Sequence, residues 1–248
     1  MANQAIPVDR YALRRWERDS ARQKAKRNLG LVLAAIFRRR AAALFEDEFT
    51  HHGRRLSFLD RMIGAGLAYR ELRNGNFDRL GDLHKRFWGG TQAKAYHDAA
   101  PDRFDTVFVR YHMPLIDELE RFLEAHGEIT TVCELGSGAG LVADYLARRF
   151  HGIERYIGVD LDPVTVAAAS ASYSNPKLEF VAGDAVAYIK AHGEPNWVFF
   201  TQNGVLEYMD PDSVKRFFQV VALLKPAVLA LIEPVAMDHD LETQPDSW

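Results

Sequence analysis

Glycines stand at positions 136, 138 and 140, directly after the apolar run at 132–135 (VCEL) and before an amphipathic run (LVADYL). Glycine at every second position lets the backbone turn tightly and admits a ligand with no Cβ in the way. Such a turn suits a nucleotide-like ligand, and the spacing decides which kind. A dinucleotide fingerprint reads G-x-G-x-x-G, its third glycine allowing close helix–strand packing with a pyrophosphate on the helix N-terminus. Counted from Gly136, that third place is Leu141. The turn argues against a pyrophosphate, and its ligand has to be identified from residues elsewhere.

Two carboxylates help. Asp160 ends the run YIGV, and a carboxylate there can accept two hydroxyl hydrogen bonds from a ribose diol. Asp162 directly precedes Pro163 and is expected to cap the next helix, which leaves Asp160 for the ribose. Farther on comes Gly183-Asp184-Ala185, where Asp184 can accept from an exocyclic adenine amine. Taken alone, Gly-Asp is only a turn signal. It gains weight from its place in the series.

These residues need a frame, and residues 112–234 supply one. Pro114 opens a helix with Leu115, Ile116, Leu119, Phe122 and Leu123 on one face, and Gly127 closes it. Strands are then expected at 129–135, 155–159, 178–181, 197–201 and 227–232. Helices are expected at 141–150, 163–172, 186–191 and from Pro211 onward. Alternation of this kind predicts a doubly wound, mostly parallel α/β sheet whose ligand lies beyond the carboxyl ends of the strands. Glu134, the glycines, Asp160 and Asp184 all fall at such ends.

Taken together, VCELGSGAG at 132–140, YIGVDLDP at 156–163, LEFVAGDA at 178–185 and NGVLEYM at 203–209 resemble the class I, Rossmann-like methyltransferases that use S-adenosylmethionine. The resemblance covers about residues 112–234. It implies that Glu134, Gly136 and Gly138 line the methionine part of the cofactor and that Asp160 holds the ribose hydroxyls. Leu161 would lie against the adenine, Asp184 and Ala185 would recognise its edge, and Gln202 and Asn203 would lie near the transferable methyl. The cofactor has no pyrophosphate, in agreement with Leu141. The family usually adds a helix and an antiparallel strand pair after the fifth strand. Only 14 residues follow Pro234, so the C-terminal strands are expected to be truncated.

Methyl transfer from a sulfonium is an in-line displacement in which positioning supplies much of the acceleration, and a base is needed only for an acceptor that must lose a proton. Candidate catalytic residues lie in the segment FWGGTQAKAYHDAAPDRF at 87–104 and just after it: Tyr96, His97 and His112, with Tyr111 and Glu207 as further options. Each histidine could equally be structural. The loop Thr201-Gln202-Asn203-Gly204 lacks the Asn/Asp-Pro-Pro-Tyr/Phe sequence of methyltransferases that act on base amines, so no nucleic-acid substrate is expected. No acid–amide cluster for a metal is identifiable.

The flanking chain reads differently. Residues 1–111 are expected to form a helical N-terminal region, a basic arm and a cap over the site, and residues 112–248 the cofactor-binding core. Residues 1–40 hold eleven Lys or Arg against Asp9, Glu17 and Asp19, a net of +8 in a chain of net charge −3. The plain reading of that arm is a solvated helical face; the alternative is contact with an acidic partner. The run LGLVLAAIF at 29–37 is far shorter than the roughly 20 residues of a membrane-spanning helix. It is expected to be a buried helix, with weak contact on a membrane surface as the alternative. The single cysteine, Cys133, lies in an apolar run and suits a core position in a reducing, cytoplasmic protein. The favoured function is methylation of a small-molecule acceptor (a sugar, natural product, phenol or amine), mainly on oxygen, by a chain that could form a homodimer. Two alternatives stay open: a lipid-linked, polymeric or nucleic-acid acceptor reached through the basic arm, and a non-catalytic cofactor-binding regulator.

Overall fold

A computed structural model describes residues 21–47, 57–90 and 93–233. Its contacts divide into two compact units, one ending at Phe87 and one spanning Trp88–Pro234. Phe104 and Phe108 join the same core as the helix and strands that follow them.

The Trp88–Pro234 unit is built on five parallel strands, β1 (Thr131–Leu135), β2 (Arg155–Asp160), β3 (Leu178–Ala182), β4 (Trp197–Thr201) and β5 (Val228–Leu231), in the order β3-β2-β1-β4-β5. All four pairings are parallel, as expected of strands separated by helices. The chain runs outward from β1 to β3 and then returns to the other side of β1, so the direction of winding switches between β1 and β4. Ligands in open α/β sheets bind outside the strand ends at such a switch.

Alternate residues of the strands face opposite cores. Val132, Tyr156, Val198 and Phe200 pack with Ile116, Leu119 and Leu146 on one face. Cys133, Ile157, Val159 and Phe199 pack with Ile189, Phe217 and Val221 on the other. The elements agree closely with the sequence expectations. Asp162 caps the helix Pro163–Ser172 through the N–H groups of Val164 and Thr165, at 3.0 and 3.3 Å. The exception is Phe104–His112, a π-helical stretch for which no local pattern was apparent. Residues 234–248, on which the expected truncation falls, lie outside the described residues.

The first unit contains helices α1 (Ala21–Ile36), α2 (Arg38–Asp47), α3 (Phe58–Arg73) and most of α4 (Phe77–Trp88). Ser57 caps α3 by accepting from the Asp60 N–H, and the Arg40 guanidinium fastens α2 to α3 by donating to both Asp60 carboxylate oxygens. That contact holds the Asp60 carboxyl down at about 2. Helix α1 crosses α3 at glycine: a Cβ on Gly30 would lie 2.1 Å from the Met62 carbonyl oxygen, and one on Gly66 2.4 Å from Leu31 N. This close approach overturns the expectation of a buried apolar helix at 29–37. The small residues Gly30 and Ala34 face inward, while Leu29, Val32, Ile36 and Phe37 are exposed.

Backbone atoms at the α1–α3 crossing cannot give way as a side chain would, so Gly66→Ala is expected to destabilise this unit by about 1–3 kcal/mol. Gly127→Ala, which meets nothing within 4 Å, serves as the control. Hydrogen exchange should show faster opening of α1 and α3 in the first variant only.

Candidate active site

All three glycines of the turn after β1 are left-handed, with φ of 70°, 51° and 78° at Gly136, Gly138 and Gly140. Each glycine also answers to a neighbour. A Cβ on Gly136 would lie 2.8 Å from Val205 Cγ2, and one on Gly140 2.7 Å from Phe180 Cζ. One on Gly138 would lie 3.5 Å from His97 Nδ1. The turn is tied to β2 by the Gly136 N–H, which donates to Val159 O at 2.8 Å, and by Asp160.

Asp160 is buried at the end of β2 and bridges two loops. Its Oδ2 accepts from the Gly138 N–H at 2.8 Å and its Oδ1 from the Asp162 N–H at 3.0 Å. A carboxylate offers about four acceptor positions, so two remain for hydroxyl donors. Burial raises its carboxyl above the ordinary range, and the two N–H groups and His97 oppose that rise.

The loop after β4 closes the other side. Asn203 takes a left-handed conformation at φ 59°, and Gln202 is half-buried beside Glu134. Glu233, at the end of the β5 segment, accepts from the Val205 and Leu206 N–H groups with its two oxygens, both at 3.1 Å. This clamp, which sets Val205 over Gly136, has no local sequence signal because its partners are 27 and 28 residues apart.

Aromatic residues gather at the same place. Trp88 meets Tyr96 and Tyr208 edge-on, each with ring centroids 5.0 Å apart, and His97 lies within 6.3 Å of Trp88. The Arg103 guanidinium sits 3.5 Å above the Tyr96 ring and donates to the Tyr96 carbonyl. Burial and the neighbouring Glu207 push the Tyr208 phenol well up, so it stays protonated. The structure thus brings His97 and Tyr96 together near the glycine turn. His112 belongs to a different set: its ring meets Phe108 edge-on at 5.6 Å, and burial lowers its pKa.

The adenine side is less direct than the sequence suggested. Leu161 is half-buried and Ala185 buried, but Asp184 caps the helix Ala185–His192 by accepting from the Ala187 N–H at 3.1 Å. Any contact to a base has to share that carboxylate.

Residues 132–227 match the family model described as a methyltransferase domain. Similar solved structures include the plantazolicin methyltransferase BamL in complex with a triazolic desmethylPZN analog and SAH. It is 17% identical, with 61% of this chain and 56% of that one covered and a TM-score of 0.43. The SAM-bound amino pentose methyltransferase CalS10 from Micromonospora echinaspora is 18% identical, with 57% of each chain covered and a TM-score of 0.41. For the DhpI–SAH complex the values are 21%, 61%, 69% and 0.40. The chain spans little more than half the length of the first two.

The Trp88–Pro234 unit holds several buried polar atoms without a protein partner among the described residues, including Glu134 Oε1, Ser137 Oγ, Thr201 Oγ1, Gln202 Oε1, His97 Nε2 and His112 Nδ1. Glu134 is the most costly of these groups. Burial pushes its carboxyl up to about 8, aided by the Asp160 charge and opposed by the Tyr156 hydroxyl and Gln202. The Tyr156 hydroxyl donates to Glu134 Oε2 at 3.2 Å.

A carboxyl raised on folding keeps a proton that the unfolded chain has released, so stability falls as pH rises across that interval. For Glu134 the interval runs from 4.5 to about 8. Glu134→Gln removes this titration. Without ligand, its melting temperature should decline less over that range than that of the native chain, and an unchanged slope would contradict the assignment.

Proposed function

We propose that the Trp88–Pro234 unit binds S-adenosylmethionine and transfers its methyl group to a small-molecule acceptor (a sugar, natural product, phenol or amine), mainly on oxygen. The observation that carries this reading is Asp160, fixed by the Gly138 and Asp162 N–H groups beside the β1/β4 switch with acceptor capacity left over. Asp160 accepts the two ribose hydroxyls. Glu134, Gly136 and Gly138 line the methionine part, where a buried carboxylate matches a cationic ligand. Leu161 and Ala185 pack against the adenine, whose amine shares the Asp184 carboxylate with the Ala187 N–H. Gln202 and Asn203 border the methyl group.

When bound, the cofactor supplies a methyl group already activated on a sulfonium. The chain's part is to hold the acceptor in line, exclude water and take a proton where the acceptor is an alcohol or phenol. His97 is the best-placed base, because its Nδ1 lies beside Gly138 and its Nε2 is buried without a partner among the described residues. Tyr96 orients the acceptor within the aromatic group, and His112 is the alternative base from outside it. A cytoplasmic setting agrees with the free thiol of Cys133. Among the described residues, no helix is long and apolar enough to cross a membrane.

Binding is tested apart from turnover. Calorimetry should detect both S-adenosylmethionine and S-adenosylhomocysteine, and failure of both overturns the reading. Removing the carboxylate in Asp160→Ala forfeits charge-assisted hydrogen bonds and should weaken binding by about a hundredfold. Asp160→Asn, which keeps the side-chain shape, should lie between. His97→Ala should keep the cofactor affinity and lose roughly 10²-fold or more in kcat on an alcohol or phenol. Cofactor binding with no transfer to any of a panel of sugars, phenols, alcohols and amines would favour a regulatory cofactor-binding protein.

A further inference from the structure

Helix α1 turns Gly30 and Ala34 inward, with Leu33 half-buried against the same core, and leaves three large residues on its outer side. Gly30 and Ala34 are buried, while Leu29, Val32 and Ile36 are 49%, 55% and 65% exposed. Their spacing of three and then four residues sets them on one stripe of the helix. Phe37 follows at the end of the stripe, exposed, and so is Phe58, next to the Ser57 hydroxyl that Arg40 contacts. Three large apolar residues exposed along one helix face are what an interaction site presents.

The charge around the stripe says what covers it. Residues 21–45 contain Arg22, Lys24, Lys26, Arg27, Arg38, Arg39 and Arg40 and not one Asp or Glu. Arg40 is matched by Asp60, and Arg27 lies 5.6 Å over the Tyr69 ring. The positive excess is then carried by Arg22, Lys26, Arg38 and Arg39, all exposed. A second copy of the same face would bring like charges together. A nucleic acid would answer the cations but gain nothing from Leu29, Val32 and Ile36. A basic helix with an apolar stripe matches a surface that is anionic outside and apolar beneath, which is a bilayer of acidic phospholipid. At 16 residues and with no spanning helix among the described residues, α1 would lie along such a surface rather than cross it.

We propose that the outward face of α1 docks this chain on an anionic phospholipid surface, Leu29, Val32 and Ile36 entering the interface and the flanking cations meeting lipid phosphates. This docking is independent of the methyl-transfer reading, since it uses none of that site's residues.

The full chain is tested by co-sedimentation with vesicles of phosphatidylcholine alone and of phosphatidylcholine and phosphatidylglycerol in equal parts. Binding is expected to the second only, and to fall as ionic strength rises. Replacing both Val32→Ser and Ile36→Ser should weaken partitioning by roughly tenfold or more, with cofactor binding and melting temperature unchanged. Arg22→Gln with Lys26→Gln should weaken it and reduce the salt dependence. A polarity-sensitive fluorophore on Val32→Cys should shift to the blue on the acidic vesicles, a readout that does not depend on the serine variants folding. No binding to acidic vesicles at low ionic strength overturns the proposal. So does undiminished binding by folded V32S/I36S, an unshifted fluorophore, or a dimer abolished by V32S/I36S in a chain that ignores vesicles.

Discussion

The site depends on one carboxylate. Asp160 ends β2, yet one of its oxygens holds the Gly138 N–H in the loop after β1 and the other holds Asp162 at the start of the next loop. A turn with a left-handed glycine at every second position has little to stabilise it locally, because glycine loses the most conformational freedom on folding. Hydrogen bonds to a buried charge are stronger than those between neutral groups, so this bridge can compensate for part of that loss. The same arrangement leaves acceptor positions on the carboxylate that neither N–H uses.

The surrounding polarity has a cost that the protein alone does not recover. Glu134 and Asp160 are both buried and acidic, and both have carboxyls raised by desolvation, with the Asp160 charge raising Glu134 further. Ser137, Thr201 and Gln202 add buried oxygens without partners among the described residues. Buried polar atoms of this sort are normally satisfied. A dense group of them at strand ends is a poor way to stabilise a sheet and a good way to receive a polar, cationic ligand. Gly158 shows the same priority: it pairs with Glu134 across the sheet, and a Cβ there would strike Ser137 at 2.7 Å.

How much of this could be read from the sequence follows from the range of each interaction. Strand β4 and the helix Pro163–Ser172 were placed to the residue, because alternating apolar runs and Asp-Pro caps are local signals. Asp160 was legible from its distance to the glycines. The Glu233 clamp was not, since its meaning depends on a loop that only the fold brings near. Asp184 was given a ligand role from its position in the series, and the capping bond it also makes became visible only with the helix in place. His97 and His112 looked alike in sequence. Packing separates them, one over Gly138 and the other against Phe108.

Helix α1 illustrates a different limit. Periodicity can show that a segment is apolar, but the side that turns inward is set by the neighbour it packs on. At 29–37 the large residues suggested burial, whereas the crossing with α3 selects Gly30 and Gly66 because only glycine allows backbones to come so near. Once that contact forms, Leu29, Val32 and Ile36 have nowhere to go but outward. The exposed stripe is therefore a consequence of how the helix pair packs. If exposure of this stripe were merely tolerated, polar residues would serve equally well at those positions. Apolar side chains there, within a segment free of carboxylates, are explained by a partner that combines negative charge with an apolar interior.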